Sequence, residues 1–370
     1  MQYLSDEIID KIRKGYYSAV YFQRTKEILL KEKNLKTVLM QIFQKHEGSI
    51  LCGTTEVIDL FKSATGYYTG KTWIDKSEEL KIYSLQDGDK LIAHETAMQI
   101  IGPYAYFAHL ESLYLGILAR RTLIATKTRE AVEAAGEKRV IFFADRFDYF
   151  LNQTGDGYAA KVGGATAVCT SAMSDGFGQE PVGTIPHSLI AIGDGNTVEA
   201  AKVFTKHNPE IKLIVLVDFD NDCVNTALEV AKALKDKLWG VRIDTAENLV
   251  DTSLQNEVRP RNNLTMKQFN NVTMKGKYYG VNPKLVKLVR KALDKEGFSR
   301  VKIVVSGGFN KDKVKLFESA KAPVDVYGIG SALVHGENDF TADIVKVEDK
   351  KVAKAGRVYK MNNRLKIFKN

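Results

Sequence analysis

Two short β-branched segments in the last third of the chain, each running directly into small residues, constrain the fold more than any other feature. The first is residues 301–305 followed by Ser306, Gly307 and Gly308, and the second is residues 324–327 followed by Gly328, Gly330 and Ser331. Glycine lets backbone N–H groups approach a ligand closely. The loops after the last two strands of a (β/α) barrel are where phosphate usually binds, so we predict that these six residues form a phosphate-binding cradle.

The composition is typical of a soluble globular enzyme with two domains. The chain has 370 residues, 44% hydrophobic and 27% charged, which exceeds what one ordinary core organises. It has no run of about 18 apolar residues, and its first residues lack the apolar stretch of a signal peptide. Three widely separated cysteines favour neither a zinc site nor a disulfide framework. We therefore expect a cytoplasmic protein that has no association with a membrane.

The formal net charge of +9 leaves two classes of protein open. A non-catalytic basic binding protein would show salt-sensitive affinity for nucleic acid. The lysines, however, are spread over amphipathic segments such as 284–295, and aromatic residues are not interleaved with a basic run. This distribution favours a solvated basic surface whose field attracts anionic small molecules, and no nucleic acid is expected as a partner.

The hydrophobic pattern divides the chain into three ranges. Residues 1–106 read as a helical start followed by alternating strands, which predicts an N-terminal α+β domain with an antiparallel sheet. Residues 107–332 alternate between strand and helix patterns, which is typical of a parallel sheet. Residues 333–370 return to short strands that we expect to rejoin the first domain's sheet. The predicted fold class is α/β, an irregular (β/α) barrel of about seven strands with an N-terminal α+β sandwich domain.

The barrel prediction rests on β-branched runs separated by helix patterns. The strands are expected at 140–143, 165–168, 188–191, 213–217, 240–243, 301–305 and 324–327, and the helices at 197–207, 221–238, 283–296 and 311–320. Asn282 followed by Pro283 is a clear helix start, with Asn as the N-cap. Because an eighth βα unit is missing, the barrel is expected to be irregular.

Polar residues collect where these strands end, which is where barrel active sites lie. They are Arg146, then Thr184, His187 and Ser188 in one loop, Asp218, and the pair Arg242 and Asp244. Arginine suits carboxylates and phosphates, and aspartate beside a phosphate site holds Mg²⁺ or sugar hydroxyls. A single Asp after a strand can equally be a helix N-cap, as we expect for Asp222. His187 could act as a general base, act as a nucleophile or pack in the core.

These segments together resemble the type II phosphoribosyltransferases, and in particular the compact archaeal-like branch of the nicotinate phosphoribosyltransferases. The matching pieces are Gly15-Tyr-Tyr-Ser-Ala-Val-Tyr-Phe-Gln-Arg-Thr, Ile101-Gly-Pro-Tyr, Leu110-Glu-Ser, Ile124-Ala-Thr-Lys127, Pro181-Val-Gly-Thr-Ile-Pro-His187-Ser, Val217-Asp218, Arg242-Ile-Asp244 and the two glycine segments. The Gly-Thr-x-x-His-Ser element is the most specific of them. The resemblance covers nearly the whole chain.

The resemblance implies a reaction in NAD salvage that joins nicotinate to phosphoribosyl pyrophosphate (PRPP), releasing pyrophosphate. It implies that Asp218 and Asp244 stabilise the positive charge that develops on the sugar, or bind the ribose hydroxyls or Mg²⁺. It also implies that Arg146 and Arg242 bind the nicotinate carboxylate and the phosphates, and that Thr184 and Ser188 are further substrate contacts. His187 resembles a histidine that some members phosphorylate with ATP as a co-substrate. Either Tyr17 or Tyr21 is expected to stack on the pyridine ring across a homodimer interface with shared active sites, and higher oligomers are compatible with this arrangement.

Departures from the family pattern leave alternatives open. The family's Arg-Ile-Asp-Ser-Gly-Asp is here Arg242-Ile-Asp244-Thr-Ala-Glu247, and a paired-arginine element appears only as Asp145-Arg146. Quinolinate phosphoribosyltransferases usually carry an arginine where this chain has Ser112. Nicotinamide enzymes place an acid in the stretch that corresponds to 165–174, which has none here. An aldolase or synthase barrel would need a Schiff-base lysine at a strand end, whereas Lys127 lies in a helix pattern. Nicotinate is therefore the preferred base.

Overall fold

The computed structural model describes residues 4–255 and 277–368. Its α-helices are α1 Asp6–Arg13, α2 Val20–Lys31, α3 Thr54–Ala64, α4 Tyr104–Phe107, α5 Glu111–Ala135, α6 Gln153–Gly163, α7 Ser171–Phe177, α8 His187–Ile192, α9 Thr197–His207, α10 Cys223–Leu234, α11 Pro283–Lys295 and α12 Lys311–Ser319. The strands are β1 Thr37–Gln44, β2 Gly66–Thr69, β3 Thr72–Asp75, β4 Lys81–Ser84, β5 Thr96–Pro103, β6 Arg139–Phe142, β7 Ala167–Val168, β8 Leu213–Leu216, β9 Leu238–Ile243, β10 Lys302–Val305, β11 Val326–Ile329, β12 Phe340–Val347, β13 Lys350–Lys351 and β14 Lys366–Phe368.

Side-chain caps fix the starts of three helices in the second half of the chain. Asn282 accepts hydrogen bonds from the backbone N–H groups of Lys284 and Leu285, with Pro283 in the first turn of α11. Asp222 caps α10 and Asn196 caps α9 in the same way. An N-cap oxygen satisfies N–H groups that have no partner within the helix. The N-caps predicted at Asn282 and Asp222 are thereby confirmed, as is the helix start predicted at residue 197.

The chain divides into two compact units. The first consists of Lys127 and the residues before it, Tyr158–Gly164, and Gly336 and the residues after it, while the second holds Thr128–Gly157 and Ala165–His335. The sequence boundaries fell at 106/107 and 332/333. The first unit extends further along the chain because Tyr114 and Leu118 of α5 are fully buried in the core of its antiparallel sheet.

The first unit is built on an antiparallel sheet with the strand order β13-β12-β1-β5-β4-β14. Strands β12 and β14 come from the end of the chain, and pair with β1 and β4 respectively. The expected return of the C-terminal segment to the first sheet is therefore confirmed. Successive side chains of a strand face opposite sides, and Met40 and Ile42, which share one face of β1, are buried at 2% and 0% exposure in one core with residues of α3 and α5.

The second unit is an open parallel sheet with the order β7-β6-β11-β10-β9-β8. This curled half-barrel confirms the predicted α/β class, but its described part has six strands rather than about seven. The error lies at residues 188–191, which form helix α8 instead of a strand. Periodicity cannot separate a short apolar run in a strand from one in a helix. Pro186 occupies the N-cap position of α8.

Parallel pairing brings the C-terminal ends of four strands to one edge of the second unit. Val305 pairs with Ile243 on one side and Tyr327 on the other, while Ile329 pairs with Phe142. The inner face of the sheet is apolar, with Ile141, Ile214, Val304 and Val326 buried together. The segments that follow β6, β9, β10 and β11 therefore emerge side by side above a closed apolar layer.

Among the described residues, no helix combines the length and the apolar character that a membrane crossing requires. The long helix α5 has 25 residues, but charged side chains such as Arg120, Arg121 and Glu130 interrupt it. The structure therefore identifies no membrane-spanning helix in ranges 4–255 and 277–368.

Candidate active site

A cavity of about 730 Å³ lies at the C-terminal edge of the parallel sheet, entirely within the second unit. Twelve of the sequence-predicted site residues line it: Arg146, Thr184, His187, Ser188, Arg242, Asp244, Ser306, Gly307, Gly308, Gly328, Gly330 and Ser331. Asp218 reaches this group through a contact with His187. Segments from 146 to 331 meet here because parallel strands end at the same edge, so one cavity collects residues far apart in sequence.

Arg242 is the centre of a hydrogen-bond network at the end of β9. Its Nε donates to Ser306 Oγ at 2.7 Å and its second terminal nitrogen donates to Asp244 Oδ2 at 3.0 Å. Ser306 Oγ in turn donates to Asp244 Oδ1 at 2.6 Å, which closes the ring. The remaining terminal nitrogen donates to Thr184 Oγ1 at 3.1 Å. Asp244 is thus held in one orientation, and the guanidinium keeps further N–H groups for an anionic ligand.

His187 and Asp218 form the second polar pair of the site. Nε2 of His187 lies 3.2 Å from both carboxylate oxygens of Asp218, whose side chain is only 6% exposed. Asp218 follows β8, and His187 begins α8. The hydrogen bond and negative charge of Asp218 raise the pKa of His187 above its usual value, with a smaller contribution from Asp244. With Nε2–H donating to Asp218, the lone pair resides on Nδ1.

Replacing Asp218 with Asn is expected to lower the pKa of His187. The carboxylate stabilises the protonated imidazole, so removing its charge shifts the titration toward the ordinary value near 6.5. The pKa is measured from the His187 Cε1–H resonance during a pH titration by NMR. Asp222→Asn is the matched control, because Asn also serves as an N-cap. An unchanged His187 titration in Asp218→Asn would contradict the pairing.

The turn after β10 has the backbone geometry of an anion cradle. Gly307 and Gly308 have φ angles of +87° and +62°, which glycine adopts without strain, and consecutive N–H groups in such a turn can form a concave anion site. A β-carbon at Gly308 would collide with the carboxylate of Glu247. Glu247, noted from sequence only as a departure from the family pattern, thus borders the turn.

Lys313 is a site neighbour that sequence reasoning missed. Its Nζ donates to the carbonyl of Gly307 at 2.7 Å, which fixes the glycine turn from behind. Burial lowers the pKa of Lys313, while Glu247 and Asp244 oppose that shift. The signal was a lysine in the first turn of the helix that follows a glycine loop. Such a lysine adds positive charge beside a bound phosphate.

Gly328 and Gly330 have a packing role that the sequence did not reveal. A β-carbon at Gly328 would lie 2.7 Å from the ring of Phe143, and one at Gly330 would lie 2.6 Å from the Phe143 carbonyl oxygen and against the ring of Phe147. Both phenylalanines line the cavity. The guanidinium of Arg242 lies 5.2 Å from the Phe143 ring, and that of Arg146 lies 5.6 Å from the Phe147 ring. The cavity therefore has an aromatic wall that was not predicted.

Cys169 also lines the cavity but is not a reactive nucleophile. Its thiol donates to Asp145 Oδ1 at 3.3 Å, and burial together with Asp145 raises its pKa to about 12. The thiolate, the reactive form, is therefore scarce near neutral pH.

The two tyrosines of the predicted ring-stacking pair belong to the first unit. Tyr17 is 47% exposed and Tyr21 is 64% exposed. They lie between α1 and α2 and on α2, respectively. Their stacking role stays a prediction.

Comparison with known sequences identifies a family profile described as quinolinate phosphoribosyl transferase, N-terminal domain, over residues 19–122. A nicotinate phosphoribosyltransferase of Bacillus subtilis is 22% identical over 255 residues, which is 68% of this chain and 45% of that protein. One from Mycobacterium tuberculosis is 24% identical over 71% of this chain and 50% of its own length. The chain thus spans about half the length of these curated relatives.

Comparison with solved structures gives the same fold. A nicotinate-nucleotide pyrophosphorylase from Pyrococcus furiosus is 29% identical, covers 99% of this chain and 85% of its own length, and has a TM-score of 0.77. Human nicotinic acid phosphoribosyltransferase matches 90% of this chain with a TM-score of 0.65 at 14% identity, which bears on the fold alone.

The half-barrel with its strand-end cavity and the antiparallel sheet that the C-terminal segment completes have the fold of the type II phosphoribosyltransferases. The family profile and the structural match support this class, and the curated sequence relatives include nicotinate phosphoribosyltransferases.

Proposed function

We propose that this protein is a nicotinate phosphoribosyltransferase, which forms nicotinate mononucleotide and pyrophosphate from nicotinate and PRPP. The observation that carries this proposal is the closed network of Arg242, Asp244 and Ser306 beside the Gly307–Gly308 turn. It combines a fixed carboxylate, a guanidinium and an anion cradle in one cavity, and these are the groups that a phosphorylated sugar and an anionic base require. The curated relatives support the choice of nicotinate.

The chemistry needs positioning more than proton transfer. The pyridine nitrogen of nicotinate is an unprotonated nucleophile near neutral pH, and it attacks C1 of the ribose as the bond to pyrophosphate breaks. The sugar gains oxocarbenium character, which a fixed carboxylate such as Asp244 stabilises. The Gly307–Gly308 turn and Ser331 hold the 5′-phosphate, and the aromatic wall of Phe143 and Phe147 excludes water beside the ring.

Magnesium enters this proposal with the substrate. No group of three or more His, Cys, Asp or Glu side chains in the described ranges is arranged to hold a metal ion. Mg²⁺ is commonly bound through one or two carboxylates together with substrate phosphates. Asp218 and Asp244, whose oxygens face the cavity network, fit that mode, and Mg²⁺ would neutralise the charge of the leaving pyrophosphate.

We further propose that ATP phosphorylates His187 during the cycle. Nδ1 of His187 is the nucleophile, because Nε2 is engaged by Asp218, and it takes the γ-phosphoryl group while ADP leaves. Hydrolysis of this phosphohistidine would drive nucleotide formation. The side chain of His187 is 44% exposed at the cavity, so a phosphate can reach it.

Quinolinate phosphoribosyltransferase is the second candidate, because the family profile over residues 19–122 carries that description. Quinolinate has a second carboxylate that needs a further cation. At the position where an arginine is expected for that substrate, Ser112 accepts a hydrogen bond from the Ala19 backbone N–H at 3.2 Å, next to the start of α2. The side chain at this position thus has a structural task and no positive charge, which favours nicotinate.

The proposed homodimer and the stacking tyrosine belong to the same proposal. Tyr17 and Tyr21 are 47% and 64% exposed, so their rings are suited to cover the base in a partner's site. Tyr17→Ala and Tyr21→Ala show which tyrosine stacks on the base. We expect the KM for nicotinate to rise in the variant that lacks the stacking ring and to stay unchanged in the other.

Turnover of three bases by the purified protein tests the function. With PRPP and Mg²⁺, we expect nicotinate mononucleotide to form from nicotinate at a kcat/KM at least about 100-fold above those for quinolinate and nicotinamide, since a missing charge partner costs several kcal/mol. Product is measured by chromatography. A preference for quinolinate or nicotinamide would contradict the assignment.

ATP coupling is tested with His187→Gln, which should no longer form the acid-labile phosphoenzyme. If ATP changes neither the rate nor the equilibrium of the native protein, coupling through His187 is excluded.

A further inference from the structure

The helix α2 buries a lysine and exposes three of its apolar residues. Lys26 is its only buried side chain, with 8% exposure, whereas Val20, Tyr21 and Ile28 are 55%, 64% and 60% exposed. Removing an ammonium group from water is unfavourable unless an opposite charge compensates for it. A lysine in this position therefore requires a partner that the fold must supply or bind.

The fold supplies only a neutral imidazole. Lys26 Nζ lies 3.2 Å from Nδ1 and 3.3 Å from Nε2 of His109, which is itself 1% exposed and hydrogen-bonded to the Ala64 backbone. Burial and the neighbouring Lys26 lower the pKa of His109, and burial lowers the pKa of Lys26 to about 7. In the described part of the chain, no carboxylate opposes that shift. A neutral imidazole satisfies at most one of the three ammonium donors.

A second cation converges on the same place. The Arg13 guanidinium lies 5.0 Å from the ring centre of Trp73, and Lys26 Nζ lies 5.2 Å from it. Arg13 Nε donates to the Ser63 carbonyl, so its charge is not neutralised there. The indole Nε1 of Trp73 is buried without a hydrogen-bond partner among the described residues. Two cations and an unsatisfied donor meet around one ring.

Lys26, Arg13 and His109 line a cavity of about 680 Å³ within the first unit. Its wall includes Arg13, Lys26, Lys71 and His109, with the rings of Tyr67 and Tyr68. Two acids also line it. Asp10 is already paired with Lys14 at 2.5 Å and accepts from Tyr68 at 3.0 Å, and Glu27 is exposed. Lys26 and Arg13 are therefore two cations of this cavity that have no acidic partner among the described residues.

We propose that this cavity is a binding site for a small phosphorylated molecule, whose phosphate lies between Lys26 and Arg13 and whose organic part packs on Tyr67 and Tyr68. A phosphate monoester dianion would favour the ammonium form of Lys26 and, together with Arg13, would be matched in charge. Its oxygens can also accept from several donors at once. The cavity has room for a mononucleotide-sized ligand. This site lies in the unit that does not contain the strand-end cavity, and the inference does not depend on the proposed function.

The resonances of the two tryptophan indoles provide the test. The Trp73 ring lies 5.0 Å from Arg13 and 5.2 Å from Lys26, so its resonance reports the proposed site. Trp239 belongs to the second unit, and its resonance should not follow the same titration curve. Full-length ¹⁵N-tryptophan-labelled protein is titrated with inorganic phosphate at constant ionic strength, with acetate as a second titrant. We expect phosphate to shift the Trp73 resonance in a saturable way. In Lys26→Met, the affinity for phosphate obtained from this titration should be at least about tenfold lower. Lys62→Met, at an exposed position of α3, should behave as the native protein.

Stability separates a binding lysine from a structural one. If Lys26 is kept for a ligand, Lys26→Met replaces a poorly compensated charge by an apolar chain of similar length, and the melting temperature without phosphate should rise by a few degrees. Phosphate should raise the melting temperature of the native protein and leave that of Lys26→Met less affected. Three results would overturn the proposal: the Trp73 resonance does not shift with phosphate, it shifts with acetate alone, or it shifts only when the protein is diluted. A shift on dilution alone would mean that an acidic segment of a second copy fills the cavity.

Discussion

Asp244→Asn is expected to reduce kcat by about 10²–10³-fold, the usual effect of removing one fixed electrostatic group from a transition state. The carboxylate is held by Arg242 at 3.0 Å and by Ser306 at 2.6 Å, so it needs no reorganisation when positive charge develops on the sugar. Asn keeps the size of the side chain and removes the charge. Steady-state kinetics with saturating PRPP and nicotinate measure the change.

Asp222→Asn is the matched control for this variant. Asp222 is also an aspartate of the second unit, but its carboxylate caps α10, and Asn caps a helix equally well. Its kcat should therefore stay within about twofold of the native value, because the change leaves the cavity untouched. Equal activity of Asp244→Asn and the native enzyme would show that Asp244 does not stabilise the transition state. A large rise in KM with an unchanged kcat would assign it to ground-state binding only.

Gly330→Ala is expected to destabilise the second unit by about 2–3 kcal/mol, the upper part of the usual range for overpacking. The added methyl group would lie 2.6 Å from the Phe143 carbonyl oxygen. That backbone cannot withdraw easily, because Phe143 N–H donates to the Ile329 carbonyl at 2.8 Å and strands β6 and β11 are paired. The cost therefore arises from separating two strands, and the predicted phosphate cradle would be distorted with them.

Urea unfolding followed by Trp239 fluorescence measures this effect. A Trp73→Phe background leaves Trp239 as the only tryptophan, so the signal reports the second unit. Gly183→Ala is the control, since a β-carbon at Gly183 meets no atom within 4 Å, and its effect should stay within about 0.5 kcal/mol. If both alanine variants unfold at the same urea concentration, the packing role of Gly330 is wrong.

Much of the fold was predictable because its signals are local. The β-branched runs that became β6, β8, β9, β10 and β11 stand out in the sequence, and Asn282-Pro283 marks the start of α11 through cap chemistry. Residues 188–191 were mistaken for a strand because a short apolar run carries no decisive period. Helix α5 lies beyond the predicted boundary at 106/107, yet it belongs to the first unit as far as Lys127, since Tyr114 and Leu118 are buried in the first core.

The site was predictable to a different degree at each position. Arg242 lies at the end of a strand, and Asp244 and Ser306 follow strands, so that strand order alone indicates that their side chains share an edge. Lys313, Phe143 and Phe147 were missed, because their contacts with Gly307, Gly328 and Gly330 depend on distances between elements. The sequence indicated phosphate binding as the reason for the glycines at 328 and 330, whereas the structure adds close packing against the rings of Phe143 and Phe147.

The amino-acid sequence by itself determined the class of fold, the strand ends that carry polar residues, and the glycine turn at 307 and 308, because strand periodicity, cap residues and positive φ angles are properties of neighbouring residues. Only the tertiary structure decided that Arg242, Asp244 and Ser306 close one hydrogen-bond ring and that His187 faces Asp218. It also decided that Lys26 is buried beside His109 and Arg13 beside Trp73. Burial and charge compensation depend on which segments meet, and no single stretch of sequence contains that information.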